Sequence, residues 1–181
     1  MRSHFQLIGY HLRGLLRFTG RDSRPTFWAW ALSVLVAGTG VMSTIAMPVM
    51  IGILGLAGER PFSGSIEREA AVFGTVAMPM IIATAVIAAI TIPLVAASVA
   101  RRLHDGGRSG AWGLLPLPFL ATGLILYPQI FGAIAPEGGP GDLFFAALAN
   151  NLIYLATLLY LVRLLTRDSD PGPNRYGPPP G

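Results

Sequence analysis

The chain predicts an all-α membrane protein with four transmembrane helices, a short N-terminal interfacial helix and a Pro/Gly-rich cytoplasmic tail. Three observations lead there. Of 181 residues, 52% are hydrophobic and only 12% charged, against about 25% charged in ordinary globular chains. The apolar residues gather into four long runs. Eleven of the thirteen basic residues, all arginine, lie in three polar stretches on alternate sides of those runs. Arg2, Arg13, Arg17, Arg21 and Arg24 precede the first run, Arg101, Arg102 and Arg108 separate the second from the third, and Arg163, Arg167 and Arg175 follow the fourth. The two remaining connections hold only Arg60 and Arg68, beside Glu59, Glu67, Glu69, Glu137 and Asp142. Arginine excess in short connections marks the cytoplasmic side. Both termini are therefore expected inside, where eleven arginines face four aspartates for a charge of +7, against −3 outside.

Each element follows from local pattern. Over residues 2–18, Phe5, Ile8, Leu12 and Leu15 recur every three or four positions, with His4, His11, Arg13 and Arg17 largely elsewhere. That spacing suits a helix lying on the membrane surface, although Gly9 and Gly14 weaken it. Spans are expected at about 28–56, 72–100, 112–134 and 143–165, each long enough for a hydrocarbon core of about 30 Å. The uncharged run from Trp28 to Gly58 is too long for a signal core and reads as an uncleaved anchor. Pro48 is expected to kink or end the regular part of the first span. Trp28 and Trp30 mark its inner boundary, where indoles favour the headgroup level. Residues 58–69 read as a polar outer loop. Pro79 and Pro93 interrupt the second run, and Pro116, Pro118 and Pro128 the third. A membrane helix tolerates proline where neighbours satisfy the freed carbonyls. The fourth run has no proline, and its Asn150, Asn151 and Tyr154 are placed to hydrogen-bond across helices. Residues 168–181 are dominated by Pro and Gly and cannot form a regular helix. Together, 1–181 read as one membrane domain.

Composition also excludes chemistry. With no cysteine, disulfides, thiolate metal sites and a Cys nucleophile are impossible. There is no G-x-x-x-x-G-K-[ST] phosphate loop, and no soluble module is left to carry a basic face for nucleic acid. No cofactor or metal is expected.

Three polar clusters fall on the predicted inner side. They read Phe18-Thr19-Gly20-Arg21-Asp22-Ser23-Arg24-Pro25-Thr26-Phe27-Trp28, Arg101-Arg102-Leu103-His104-Asp105-Gly106-Gly107-Arg108-Ser109-Gly110, and Pro171-Gly172-Pro173-Asn174-Arg175-Tyr176-Gly177-Pro178. Ser23 with Pro25 is an ordinary helix start. Arg101 and Arg102 close the second span, where cations meet the negative end of the helix dipole and reach lipid phosphates. His104 beside Asp105 is the one candidate acid–base or metal-ligand pair. Neighbouring side chains on a helix diverge by about 100°, so pairing of Asp105 with a motif arginine is the stronger expectation. Gly106, Gly107 and Gly110 read as a tight turn, with Ser109 as a cap for the third helix. Arg108 and the loop amides would suit an anion. In the tail, Tyr176 offers a ring for docking, Arg175 a fork for Asp22 or Asp105, Asn174 a local turn and Gly177 a positive backbone angle. The segment 174–177 is expected to pack against the inner ends of the first three spans.

These clusters resemble the DUF805 family of small bacterial inner-membrane proteins, marked by F-x-G-R-x-S-R-x-x-F-W, R-R-L-H-D-x-G-R-S-G and G-x-N-R-Y-G-x-x-P. All three occur here in order. The chain departs at Thr26, where the family often has Glu, at Gly106, where it often has an apolar residue, and at Ala111, where it often has Trp. The resemblance implies a bacterial inner membrane and leaves activity undefined. The leading expectation is a non-enzymatic multi-pass protein. Its inner face, built from Arg21, Arg24, Arg101, Arg102, His104, Asp105, Arg108, Asn174, Arg175 and Tyr176, would bind anionic lipid headgroups or a partner, either another protein or a second copy. The alternative is a small transporter or channel component, although no span has a charge near mid-membrane. An enzyme acting on a lipid-linked substrate comes third.

Overall fold

A computed structural model describes residues 4–59, 66–133 and 141–180, with side chains described for 6–51, 77–130 and 141–180. Five α-helices and one short 3-10 turn make up its regular structure: α1 His4–Arg13, α2 Arg24–Glu59, α3 Ile66–Asp105, the 3-10 turn Gly110–Leu114, α4 Leu117–Ala133 and α5 Gly141–Thr166. Among the described residues there is no β-strand, only an isolated backbone bridge between Asn174 and Gly177.

Among the described residues, four helices are long and apolar enough to cross a membrane, over Arg24–Ile51, Ala77–Asp105, Gly110–Ile130 and Gly141–Thr166. No more than 11% of the residues in any of these apolar stretches are buried. Side chains such as Leu35, Val36, Ile51, Ile82, Leu152 and Leu159 point outward. Apolar surface on that scale needs hydrocarbon around it. The chain is a multi-pass membrane protein by this reasoning.

Some boundaries differ from expectation. Pro48 does not end the first span, since α2 runs through it to Glu59. A proline removes one helical hydrogen bond, and the helix on either side is long enough to persist. The second span is longer than 72–100, with α3 continuing through Arg101-Arg102-Leu103-His104-Asp105. The outer loop 58–69 is shorter than expected, because α2 takes its first two residues and α3 its last four. Residues 60–65 lie outside the described residues.

The chain divides into two compact units, 1–37 with 89–118 and 154–181, and 38–88 with 119–153. The first unit has a core of Phe27, Leu103, Leu161, Leu164 and Leu165, against which Trp28, Ala31 and Val99 pack. There α1 turns Leu7 and His11 inward. Of the apolar stripe, Ile8 and Leu15 are half-buried and Leu12 is 48% exposed. Trp30 faces the protein. It is buried, stacks on His11 with ring centroids 5.1 Å apart, and donates its indole N–H to the Leu94 carbonyl at 3.0 Å. The 3-10 turn lies so close to α3 that a Cβ on Gly110 would come within 2.8 Å of the Ala100 Cβ. That contact requires the glycine of the Arg-Ser-Gly sequence. Ser109 caps this turn, accepting the Ala111 N–H at 3.3 Å.

The second unit is sparser. Asn150 donates to the Phe119 carbonyl at 2.9 Å and Asn151 to the Tyr127 hydroxyl at 2.7 Å, joining α5 to α4. Ser43, Thr44 and Thr84 bond carbonyls of their own helices, so their hydroxyls are satisfied without water.

Candidate functional site

The C-terminus of α3 should leave its last carbonyls without helical partners. The first unit supplies partners from two distant segments and from the turn that follows the helix. The Arg101 carbonyl accepts the Asp22 N–H at 3.2 Å, and the Leu103 carbonyl accepts the Arg108 N–H at 2.9 Å. The His104 carbonyl accepts the Gly107 N–H and the Asn174 side-chain amide, each at 3.0 Å. The Asp105 carbonyl accepts the Asp170 N–H at 2.9 Å. The segments holding the three sequence clusters therefore cap one helix end between them.

Two carboxylates organise the side chains around that end. Asp105 is fully buried, with 0% exposure. Its Oδ1 accepts from Arg21, with Nε at 3.0 Å and Nη2 at 2.9 Å, and its Oδ2 accepts from Arg102 and the Ser169 hydroxyl. Asp22 is 1% exposed. It accepts Arg101 Nε on Oδ2 at 2.9 Å and the Tyr10 hydroxyl on Oδ1 at 2.8 Å. His11 Nδ1 sits 3.3 Å from Arg101 Nη2. A guanidinium only donates, so Nδ1 is the acceptor in that contact.

Three buried guanidiniums against two buried carboxylates leave one positive charge in excess. Carbonyl oxygens offset it. Arg101 also donates to Gly14 at 3.0 Å and Arg17 at 2.5 Å. Arg21 donates to Gly172 at 2.8 Å, Asp170 at 2.6 Å and Gly177 at 3.3 Å. Arg102 donates to Leu165 at 2.9 Å and to Arg167, at the negative end of the α5 dipole. A buried guanidinium with unfilled donors would be costly. Here backbone acceptors fill them.

The tail closes this arrangement. Asn174 Oδ1 accepts the Tyr176 N–H at 2.9 Å, and Asn174 and Gly177 exchange backbone hydrogen bonds at 2.9 and 3.1 Å. Gly177 has φ of +123°, which a side chain would resist. The turn lays the Tyr176 ring flat on His104, with centroids 3.7 Å apart and planes 8° from parallel.

The structure thus gathers Arg21, Arg101, Arg102, Asp105, His104, Asn174 and Tyr176 about one helix end. His104 and Asp105 do not pair. The ring bonds the Gly20 carbonyl through Nδ1 at 3.3 Å and stacks on Tyr176, while both Asp105 oxygens hold arginine or serine donors. No oxygen of that carboxylate is left to take a substrate proton. Arg175 does not fork onto Asp22 or Asp105, because other arginines hold both acids. Its guanidinium lies 4.7 Å from the centre of the Tyr176 ring instead. Arg24 stands outside the buried set, bridging Asp168 at 3.0 Å with both side chains largely exposed. Arg108 contributes its backbone N–H to the turn. Among the described residues, no group of three or more His, Asp or Glu could hold a metal ion.

Sequence reasoning missed Tyr10, His11, Ser169 and Asp170. Tyr10 and His11 carried a weak signal, as polar residues next to Leu7 on what proved the inward face of α1. Nothing local marks Ser169, whose role depends on where α5 delivers it.

The model of a protein family of unknown function, DUF805, matches residues 15–178. No curated protein and no solved structure matches the chain.

Proposed function

For a chain that belongs to the DUF805 family, we propose a non-enzymatic role: a multi-pass protein of the bacterial cytoplasmic membrane whose arginine-bearing face lies inside and binds anionic lipid headgroups. The division of labour among its arginines supports this reading. Arg21, Arg101 and Arg102 are consumed in the buried network. They hold the face together and are not offered to lipid. The side chains of Arg13, Arg17, Arg24, Arg163, Arg167 and Arg175 are exposed around it. Each basic group near an anionic surface contributes about 1 kcal/mol. In this reading α1 lies in the headgroup layer, its exposed Leu12 toward the membrane, and residues 168–180 form a cytoplasmic tail folded back on the helix ends.

The carrying observation is the closed, fully bonded Asp105 centre, which suits a rigid platform better than a reaction site. Two measurements test the reading. Reporter fusions after Gly64 and after Gly181 are expected to respond as outside and inside, and an inside response at Gly64 would overturn the orientation. Native mass spectrometry of protein released from nanodiscs of mixed phosphatidylglycerol and phosphatidylcholine is expected to show retained phosphatidylglycerol. Equal retention of the two lipids would overturn headgroup binding.

A further inference from the structure

Where α1 meets the end of α3, the first unit has a half-open cavity of about 740 Å3, walled by Tyr10, Arg13, Arg17 and Arg101 with Gly9 and Gly14. Arg101 is committed there. Four of its five N–H groups are used on Asp22, Gly14, Arg17 and His11. Arg13 and Arg17 differ. Among the described residues neither guanidinium has a carboxylate or a hydrogen-bond acceptor. Two uncommitted forks therefore face a cavity backed by a third cation. The acid behind it, Asp22, is already taken by Arg101 and Tyr10.

The surroundings say what kind of anion fits. Leu12 and Phe18 are each 48% exposed, and Leu16, between Arg13 and Arg17, is 91% exposed. A free phosphate has no use for that apolar edge, whereas a phosphodiester carrying acyl chains uses both parts. Arginine forks match phosphate oxygens in pairs, and exposed leucine and phenylalanine enter the acyl boundary. The floor is open at Gly9, where an added Cβ would meet nothing within 4 Å.

We propose that this groove binds the headgroup phosphate of an anionic phospholipid. Arg13 and Arg17 are its two phosphate donors, and Leu12, Leu16 and Phe18 lie against its chains. The inference rests on the headgroup-binding reading above and narrows it to one site.

The test uses the full chain in nanodiscs of phosphatidylglycerol and phosphatidylcholine, with retained lipid read by native mass spectrometry. Arg13→Gln with Arg17→Gln is expected to lower phosphatidylglycerol retention about 30-fold, the loss of two surface cations. Arg163→Gln with Arg167→Gln removes the same charge from the exposed set away from the groove and is expected to lower retention by a clearly smaller factor, the loss of general attraction alone. Gly9→Leu fills the groove without changing charge, strengthens the helix, and is expected to lower retention as well. Equal loss in both double variants would mean non-specific attraction and overturn the site. Loss with the Arg13/Arg17 variant but not with Gly9→Leu would put the phosphate outside the groove and overturn it too. A parent that retains phosphatidylglycerol, with all three variants retaining it equally, would overturn the groove and leave the broader reading standing. A parent without preference would overturn both. Displacement of the lipid by excess inorganic phosphate would assign the groove to free phosphate and overturn the lipid.

Discussion

The two units of this chain are held by different physics. In the first, two buried aspartates, three buried arginines and a set of backbone carbonyls form a connected polar network. In the second, the described contacts between helices include two asparagine hydrogen bonds, and many of the apolar side chains are exposed. The contrast follows from solvent. Helices surrounded by hydrocarbon gain little from burying leucine against leucine, and polar contacts there are worth about 0.6 kcal/mol on average. Helix ends that emerge from hydrocarbon must satisfy their last carbonyls. Arginine can do that while also meeting carboxylates, so specificity gathers at the end of α3.

Breaking the network should show the contrast most strongly. Asp105→Asn removes the partner of Arg21 and Arg102 and leaves buried cations uncompensated, a loss expected at about 3–5 kcal/mol. Denaturant titration in detergent checks this, and a change under 1 kcal/mol would mean that the network is ornamental. Tyr176→Ala should cost less, about 1 kcal/mol for the lost ring stack. It should also speed amide exchange across 170–177, and unchanged exchange there would show that the turn holds without the ring. In the second unit, Asn150→Ala is expected to cost about 0.6 kcal/mol. An effect as large as that of Asp105→Asn would erase the contrast. Smallest should be Arg24→Ala, which breaks an exposed bridge of a kind that often contributes nothing measurable.

The legible and illegible parts of this molecule divide along the same line. Four spans were readable because hydrocarbon imposes length and apolarity on each helix separately. The three clusters were readable as belonging together because alternate connections of a four-span chain share a side. Asn174 and Gly177 were readable as a turn from their own backbone preferences. The pairing of Arg101 with Asp22, and of Arg21 and Arg102 with Asp105, was not. Any arginine in three segments suits either acid, and only the position of the α3 end decides between them. Arg175 shows the cost of that ambiguity: it has the right chemistry for a fork, but the acids were already taken. The inward face of α1 was not legible for a related reason. A helix with apolar residues on two sides can turn either one to the protein, and the Trp30 ring and the Arg101–Asp22 pair recruited the side bearing His11.

Arg21 has a consequence for the order of biogenesis. Its guanidinium is donated to the carbonyls of Asp170, Gly172 and Gly177, all translated after α5. During synthesis the first three spans can be in place, with Arg21 and Asp105 both present, while those acceptors are still inside the ribosome. The platform therefore reaches its final form only after the fourth span has been delivered and the following residues have folded back. A chain interrupted after Thr166 would carry every span and still present an unfinished face, open to whatever surveys new membrane proteins.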